Sequence, residues 1–300
     1  MARTIRLAAA FLREVEARFF WLLLIIGAFL LFVDLGDVYL WQDEAETALI
    51  ARHWLVHGLP LSTDGMTWVQ QQAQPFIEFT SDYVWISHSW LQFALTAVTF
   101  AFLGFTTVAA RLPFVLAGLA SLCFFYQFVL RWLQDKRVAW IAAMLLLFCV
   151  PFILLARQCR YYVLSALFTL LTLDSYLWLR SDKPWAVPYF ILSAVLLYHS
   201  HYLAFFPTLA ALFLYQLLFS KIRAAWSRFL IAFVLIALLI VPWAYFMRLG
   251  ARSGLLPARD QTARSGLLRW NRFMRQLGQY LLQITVWIFP LLLLLAFIIA

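Results

Sequence analysis

Three carboxylates, Asp43, Glu44 and Glu46, crowd into the stretch Trp41-Gln42-Asp43-Glu44-Ala45-Glu46-Thr47, directly after the first long apolar run. Acids at the mouth of a membrane segment are costly unless they face water, meet cations or do chemistry. Cationic and hydrogen-bonding side chains recur at other junctions between apolar runs. They are His88, Arg111, the group Arg157, Arg160, Tyr161 and Tyr162, and His199 and His201 with Tyr202. A last group is an arginine run from Arg248 to Arg275 that includes Arg269 and Arg272. A carboxylate facing cations at an interface suits displacement of a phosphate leaving group. The carboxylate takes, or orients, the proton of an incoming hydroxyl. The cations hold the phosphate and stabilise the charge that builds on it as the bond breaks, and tyrosines donate further hydrogen bonds.

Each of these residues also has a plainer reading. Acids in a first turn suit the positive end of a helix dipole. Arg157 and Arg160 equally serve as interface anchors with their stems in lipid. Arg111, ahead of Pro113, reads as a helix start. His199 and His201 flank the end of a span with no third ligand in view, which is a weak metal signal. Asp174 lies near the end of its span and is expected to pair locally.

The elements that must carry these groups are mostly hydrocarbon. The chain is 65% apolar, 18% aromatic and 12% charged, with a mean hydropathy of +0.85, whereas a soluble domain carries about 25% charged residues. The chain therefore reads as an all-α, polytopic membrane protein. Its net charge of +9 comes from short basic clusters between apolar runs, where such residues set topology and meet lipid headgroups. No nucleic-acid motif accompanies them, so nucleic acid is excluded as a partner. Cys123, Cys149 and Cys159 lack ligand spacing and read as buried, inert thiols. The first apolar run has no small-residue cleavage site after it and reads as an anchor.

Residues 1–18 read as a basic cytoplasmic amphipathic start and 19–38 as the first span. Residues 39–110 form the first external loop. In it, Ala45, Ala48, Leu49, Arg52, Leu55 and Val56 repeat at roughly helical spacing and predict an amphipathic surface helix that stops at Gly58-Leu59-Pro60. Residues 84–105 are apolar enough to cross, yet rich in tryptophan and marked by His88 and Gln92, so an interfacial or re-entrant helix is the alternative. Further spans are expected at 112–130, 138–155, 162–179, 185–198, 202–219, 229–246 and 277–300, about eight in all. Gly118 and the alanine-rich stretches allow close helix packing in lipid. The absence of a polar flank after the last span points to a truncation of a longer chain.

Charge distribution weighs on sidedness. If 84–105 does not cross, the short basic connections around Arg131, Lys136, Arg137, Arg180, Lys183, Lys221 and Arg228 all lie inside, as the positive-inside rule prefers. The arginine run at 248–276 then becomes a basic external loop, which needs an anionic lipid or a lipid phosphate as its reason. If 84–105 does cross, the run turns inward and the short basic connections turn outward.

The order of these features resembles the membrane glycosyltransferases of the GT-C fold, and most the group of protein O-mannosyltransferases and lipid A aminoarabinose transferases. The residues that carry the resemblance are Asp43-Glu44 after one span, Arg111-Leu112-Pro113 opening the next, Ala156-Arg157-Gln158-Cys159-Arg160-Tyr161-Tyr162 at a later turn, and His201-Tyr202 two spans on. It implies a single transmembrane GT-C domain with juxtamembrane helices in the first external loop. It also implies transfer of a sugar from a polyprenyl-phosphate donor to a lipid, glycan or protein acceptor at the outer face of a bacterial inner membrane. The family's catalytic acid maps onto Asp43, with Glu44 beside it, and its phosphate-meeting juxtamembrane motif onto His88-Ser89-Trp90, here without a proline. Arg111, Arg157, Arg160, Tyr161, Tyr162, His201, Tyr202, Arg269 and Arg272 become the expected binding residues. The aminoarabinose transferases carry an arginine where this chain has Glu46, which argues against the same substrate. No cofactor is required by this reading, and whether a divalent metal bridges Asp43 and the phosphate stays open. The rival from another class is a transporter or flippase of a lipid-linked or anionic substrate, which would call for mid-membrane charges and paired broken helices; a non-catalytic membrane scaffold is the other.

Overall fold

The computed structural model describes residues 20–70, 78–179, 183–219 and 223–248, with 274–275 and 278–279 besides. The chain divides into two compact units, 1–248 and 249–300. Of the second, only the four residues just named are described, and they are helical. The basic start at 1–18, most of the arginine run with Arg269 and Arg272, and the span expected at 277–300 lie outside the described residues, apart from two positions at the head of that last range.

Ten helices are described in the first unit. They are α1 (Phe20–Phe32), α2 (Gln42–His57), α3 (Leu91–Leu103), α4 (Thr107–Leu133) and α5 (Lys136–Leu147), then α6 (Val150–Ala156), α7 (Tyr162–Leu179), α8 (Ala186–Ser200), α9 (Tyr202–Phe219) and α10 (Arg223–Phe246). Four stretches, Thr107–Leu133, Tyr162–Leu179, Tyr202–Phe219 and Trp226–Phe246, are long and apolar enough to cross a membrane. A bilayer core about 30 Å thick takes about 20 helical residues. On α9 and α10, Leu214, Leu218, Ile231, Val234 and Leu238 are all exposed, a density of bare apolar surface that water does not tolerate but lipid does. The protein is an integral membrane protein.

The expected span at 138–155 is two helices. α5 and α6 meet at a 63° bend. Pro151 sits in the first turn of α6, where it suits a helix start but cannot continue the hydrogen bonding of a preceding one. Close packing around Gly118 follows the expectation from its size. A Cβ built there would stand 2.8 Å from the Ala156 Cβ and 3.4 Å from Leu31 Cδ1, so α4 meets α6 and α1 where only a hydrogen fits.

α2 begins at the acids and ends at Gly58, whose φ of 78° closes the helix. The residue before it, Trp41, donates its backbone N–H to Glu44, a capping-box contact. The expected amphipathic pattern holds only in part: Ala48 is buried and Leu49 packs against the core. Glu44, Glu46, Thr47 and His53 are buried with Ile50 and Ala51, while Leu55 and Val56 are exposed. Glu44 and Glu46 turn inward because buried guanidinium groups stand there to meet them.

α3 has 13 residues, about 20 Å of helix, which is short of a bilayer core. Gln92 in its first turn accepts the Tyr161 N–H. Arg111, early in α4, is bonded to Glu44, which also accepts the Cys159 N–H. The starts of α3 and α4 thus reach the same short turn between α6 and α7. A core of Leu31, Leu35, Ile50, Phe93, Phe100, Phe114, Val115 and Val163 ties α1, α2, α3, α4 and α7 together beneath that turn.

Candidate active site

The platform for the site is a buried ion pair. Glu44 Oε1 and Oε2 accept from Arg111 Nε and Nη2 at 2.9 and 2.7 Å. The same carboxylate accepts the Cys159 N–H at 2.7 Å and the Trp41 N–H at 3.4 Å. Arg111 directs its remaining N–H groups to the carbonyls of Leu35, Val38 and Tyr39. Both partners are therefore hydrogen-bonded on nearly every side, as a buried charge pair requires. The geometry makes Glu44 and Arg111 the joint between the end of α1, the start of α2, the start of α4 and the α6–α7 turn.

Arg157 has a comparable task. Its guanidinium donates to the carbonyls of Leu30, Val33 and Asp34 at 3.1, 2.6 and 3.3 Å, the acceptors left over where α1 ends. Asp34 itself ends that helix at a φ of 52°.

Asp43 points the other way. Its side chain is 29% exposed, and Oδ2 lies 3.3 Å from Arg160 Nη2. Arg160 is buried and shared: Nη1 stands 3.4 Å from Glu46 Oε1 and 3.3 Å from Thr47 Oγ1, and its Nε–H has no partner. Its guanidinium also covers the Tyr161 ring at 5.5 Å. Glu46 Oε1 is in turn 3.5 Å from His88 Nδ1.

Beside this charge chain runs a column of rings. Trp85 stacks on His88 at 6.2 Å, His88 on Tyr161 at 5.8 Å, and Tyr161 on His201 at 4.3 Å, with interplanar angles of 12°, 27° and 8°. Tyr162 leans on Tyr161 at 4.7 Å, and Tyr202 lies 6.2 Å from His201. Ser89 Oγ donates to the Tyr198 carbonyl at 2.9 Å, fixing the loop before α3 to the end of α8. Burial pushes the Tyr161 hydroxyl up to about 12 and holds the His201 imidazole below its ordinary value, so both rings are uncharged at neutral pH. Burial likewise keeps the Cys159 thiol protonated, with its value raised to about 12; it is a packing group.

Of the residues expected from sequence, Asp43, His88, Arg160, Tyr161, Tyr162, His201 and Tyr202 come together at one end of the bundle. Glu44, Arg111 and Arg157 lie at that same end and hold backbone and one another. Asp174 lies elsewhere on α7 and pairs with Arg131 of α4, with Tyr189 donating to it. Its partner is close in space but far along the chain. Glu46 and Gln92, noted in the sequence but not expected as site residues, join this cluster. For Glu46 the signal was its place three residues after Asp43, which puts both on one helix face. Among the described residues, no group of three or more His, Cys, Asp or Glu side chains is arranged to hold a metal ion.

Among the described residues, the cations here do not form a surplus. Arg111 and Arg160 face Asp43, Glu44 and Glu46. What the arrangement offers is one half-open carboxylate beside a buried guanidinium, with a stacked imidazole, His88, beside the Glu46 that shares that guanidinium.

No family model matches the chain, and no curated protein matches it. Two solved structures do. One is ArnT from Cupriavidus metallidurans bound to undecaprenyl phosphate, with a TM-score of 0.56, 18% identity, and coverage of 80% of this chain and 42% of that one. The other is the same protein in the apo state, with a TM-score of 0.58, 18% identity, and coverage of 84% and 46%. The chain thus spans less than half the length of these matched structures. At that identity the likeness is one of fold, and the fold is the GT-C fold that ArnT has.

Proposed function

We propose that the protein is a glycosyltransferase that moves a sugar from a polyprenyl-phosphate donor to an acceptor hydroxyl at the outer face of the membrane, with inversion. The observation that carries this reading is Asp43. It is the most exposed of the three clustered acids, stands at the start of α2, and faces a buried guanidinium at 3.3 Å. The fold shared with a protein crystallised with undecaprenyl phosphate supports the choice of donor.

In the proposed reaction Asp43 accepts the proton of the acceptor hydroxyl as its oxygen attacks the anomeric carbon. The bond from that carbon to the phosphate oxygen breaks, and its electron pair leaves with the polyprenyl phosphate. His88 and Arg160 stabilise the departing charge. Tyr161, Tyr162, His201 and Tyr202 line the approach. Glu44, Arg111 and Arg157 contribute by fixing the backbone that carries Asp43 and Arg160. The fold leaves the hexose or pentose and the acceptor unassigned.

The test is sugar transfer from a synthetic polyprenyl-phosphate sugar by the wild type and by Asp43→Asn. A loss of roughly two to four decades supports a base. Equal rates remove Asp43 from the reaction.

A further inference from the structure

α2 has a second side that the charge cluster does not use. Glu44, Glu46, Ile50 and His53 turn inward. Ala45, Ala48, Leu49 and Arg52, spaced i, i+3, i+4 and i+7, form one stripe of the helix and line a cleft of about 320 Å³. The opposite wall is Phe100, Phe105 and Thr107 from the α3–α4 junction. Gly104, at a φ of 74°, turns the chain there, and Phe105 folds back onto Phe100 with ring centroids 5.2 Å apart.

The walls are apolar and the rim carries a cation. The exposed Arg52 guanidinium lies over the Phe105 ring, 5.4 Å from its centroid. That cation–π contact leaves N–H groups at the edge of the guanidinium for an acceptor. The helix neighbours three and four positions from Arg52 are Ala48, Leu49, Leu55 and Val56, none of them acidic. Among the described residues no ion pair engages Arg52. Arg111, Arg157 and Arg160, by contrast, are bonded to α1 carbonyls or to the acids of α2. Arg52 thus brings the cleft a positive charge that no neighbouring acid offsets.

The depth is that of a lipid headgroup. Thr107 begins a stretch long and apolar enough to cross the membrane. On the same two elements Val98, Phe102, Leu103 and Val108 are exposed, a surface that lipid covers more readily than water. At that level a guanidinium meets phosphate while its stem and the apolar walls take hydrocarbon. The volume is at the small end of ligand sites, so the cleft takes the first part of one acyl chain and not a whole lipid.

We propose that this cleft holds one anionic phospholipid, with its phosphate on Arg52 and the upper part of an acyl chain between Leu49, Phe100 and Phe105. The site is distinct from the proposed transfer site and does not require it. Arg52 lies nine residues after Asp43, about 13 Å along the helix, too far for one phosphate to serve both.

The experiment is native mass spectrometry of the full chain, delipidated in detergent and titrated with phosphatidylglycerol or with phosphatidylcholine of the same acyl chains. The wild type should bind the first phosphatidylglycerol about fivefold more tightly, the contribution of one basic residue at a membrane surface. Arg52→Gln should lose that preference and keep the phosphatidylcholine affinity, because the cleft remains. Ala45→Leu, which narrows the cleft, should weaken both lipids severalfold, with melting in the same detergent separating a filled cleft from a misfolded chain. Equal binding of the two lipids by the wild type overturns the proposal, as does an Arg52→Gln protein that keeps the preference. Release of the bound lipid by inorganic phosphate alone overturns the part given to the acyl chain. Undecaprenyl phosphate is the third titrant: if Arg52→Gln weakens its binding and leaves phosphatidylglycerol unchanged, the cleft belongs to a polyprenyl lipid and the phospholipid assignment falls.

Discussion

Arg111 Nη2 lies 2.7 Å from Glu44 Oε2, and the two residues are separated by 67 positions in the chain. The pair is buried and joins four elements at one point. Removing one partner leaves the other charged and unpaired in the interior, which costs about 3–5 kcal/mol. Arg111→Ala and Glu44→Ala are therefore expected to fail as folded proteins or to melt far below the wild type in the same detergent. Arg111→Lys keeps a charge but loses the two-pronged contact and the carbonyl bonds, and should fall between them. The check is thermal unfolding followed by loss of monodisperse protein.

Asp43 should behave in the opposite way. It is half-open, and Arg160 keeps Glu46 and Thr47 when Asp43 is neutralised. A partly exposed ion pair is worth at most about 1 kcal/mol, so Asp43→Asn should melt close to the wild type while transfer falls by about two to four decades. Unfolding and turnover measured on the same preparation separate the two effects.

Arg157 and Arg160 are near neighbours with different contacts. Arg157 closes the end of α1 through Leu30, Val33 and Asp34. Hydrogen bonds from a charged donor are worth about 1.5–3 kcal/mol, so Arg157→Gln should lower stability with the affinity for undecaprenyl phosphate little changed. Arg160→Gln should weaken that affinity and slow transfer. Binding and melting measured on both variants test the division.

The loop after α2 carries a pH dependence whose sign follows from Asp64. Its carboxylate accepts the backbone N–H groups of Thr67 and Met66 and the Thr67 hydroxyl, and these bonds hold its pKa well below the usual carboxylate range. His53 lies beside it at 3.5 Å and bonds Leu61 and Thr67. With the folded value depressed, the open loop binds the proton more readily than the closed one. The stabilisation is complete above about pH 4 and is lost as pH falls toward the folded value. Amide protection factors across 58–70, taken relative to the intrinsic exchange rate at each pH, should therefore fall on acidification, and Asp64→Asn should show the lowered protection already at neutral pH.

How much of this was legible in the chain varies by residue. The start of α2 at the acids and its stop at Gly58 follow from dipole, capping and φ rules that act within a few residues. The apolar runs follow from composition, since lipid demands them whatever packs against them. The bend at Pro151 was present as a proline inside an apolar run, but a proline alone does not say whether a helix kinks or breaks.

By itself the sequence determined a helical membrane protein, the placing of acids and cations at the ends of its spans, and a clear order of motifs. Tertiary structure decided what each charge does. Asp43, Glu44 and Glu46 are near-identical side chains within about one turn of helix, and sequence rules treat them alike. Rotation about α2 sends Glu44 to Arg111, Glu46 to His88 and Arg160, and leaves Asp43 at the rim. The physical reason is range: propensity and hydropathy act through neighbours along the chain, whereas a buried charge answers to whichever distant group the fold sets within about 4 Å of it.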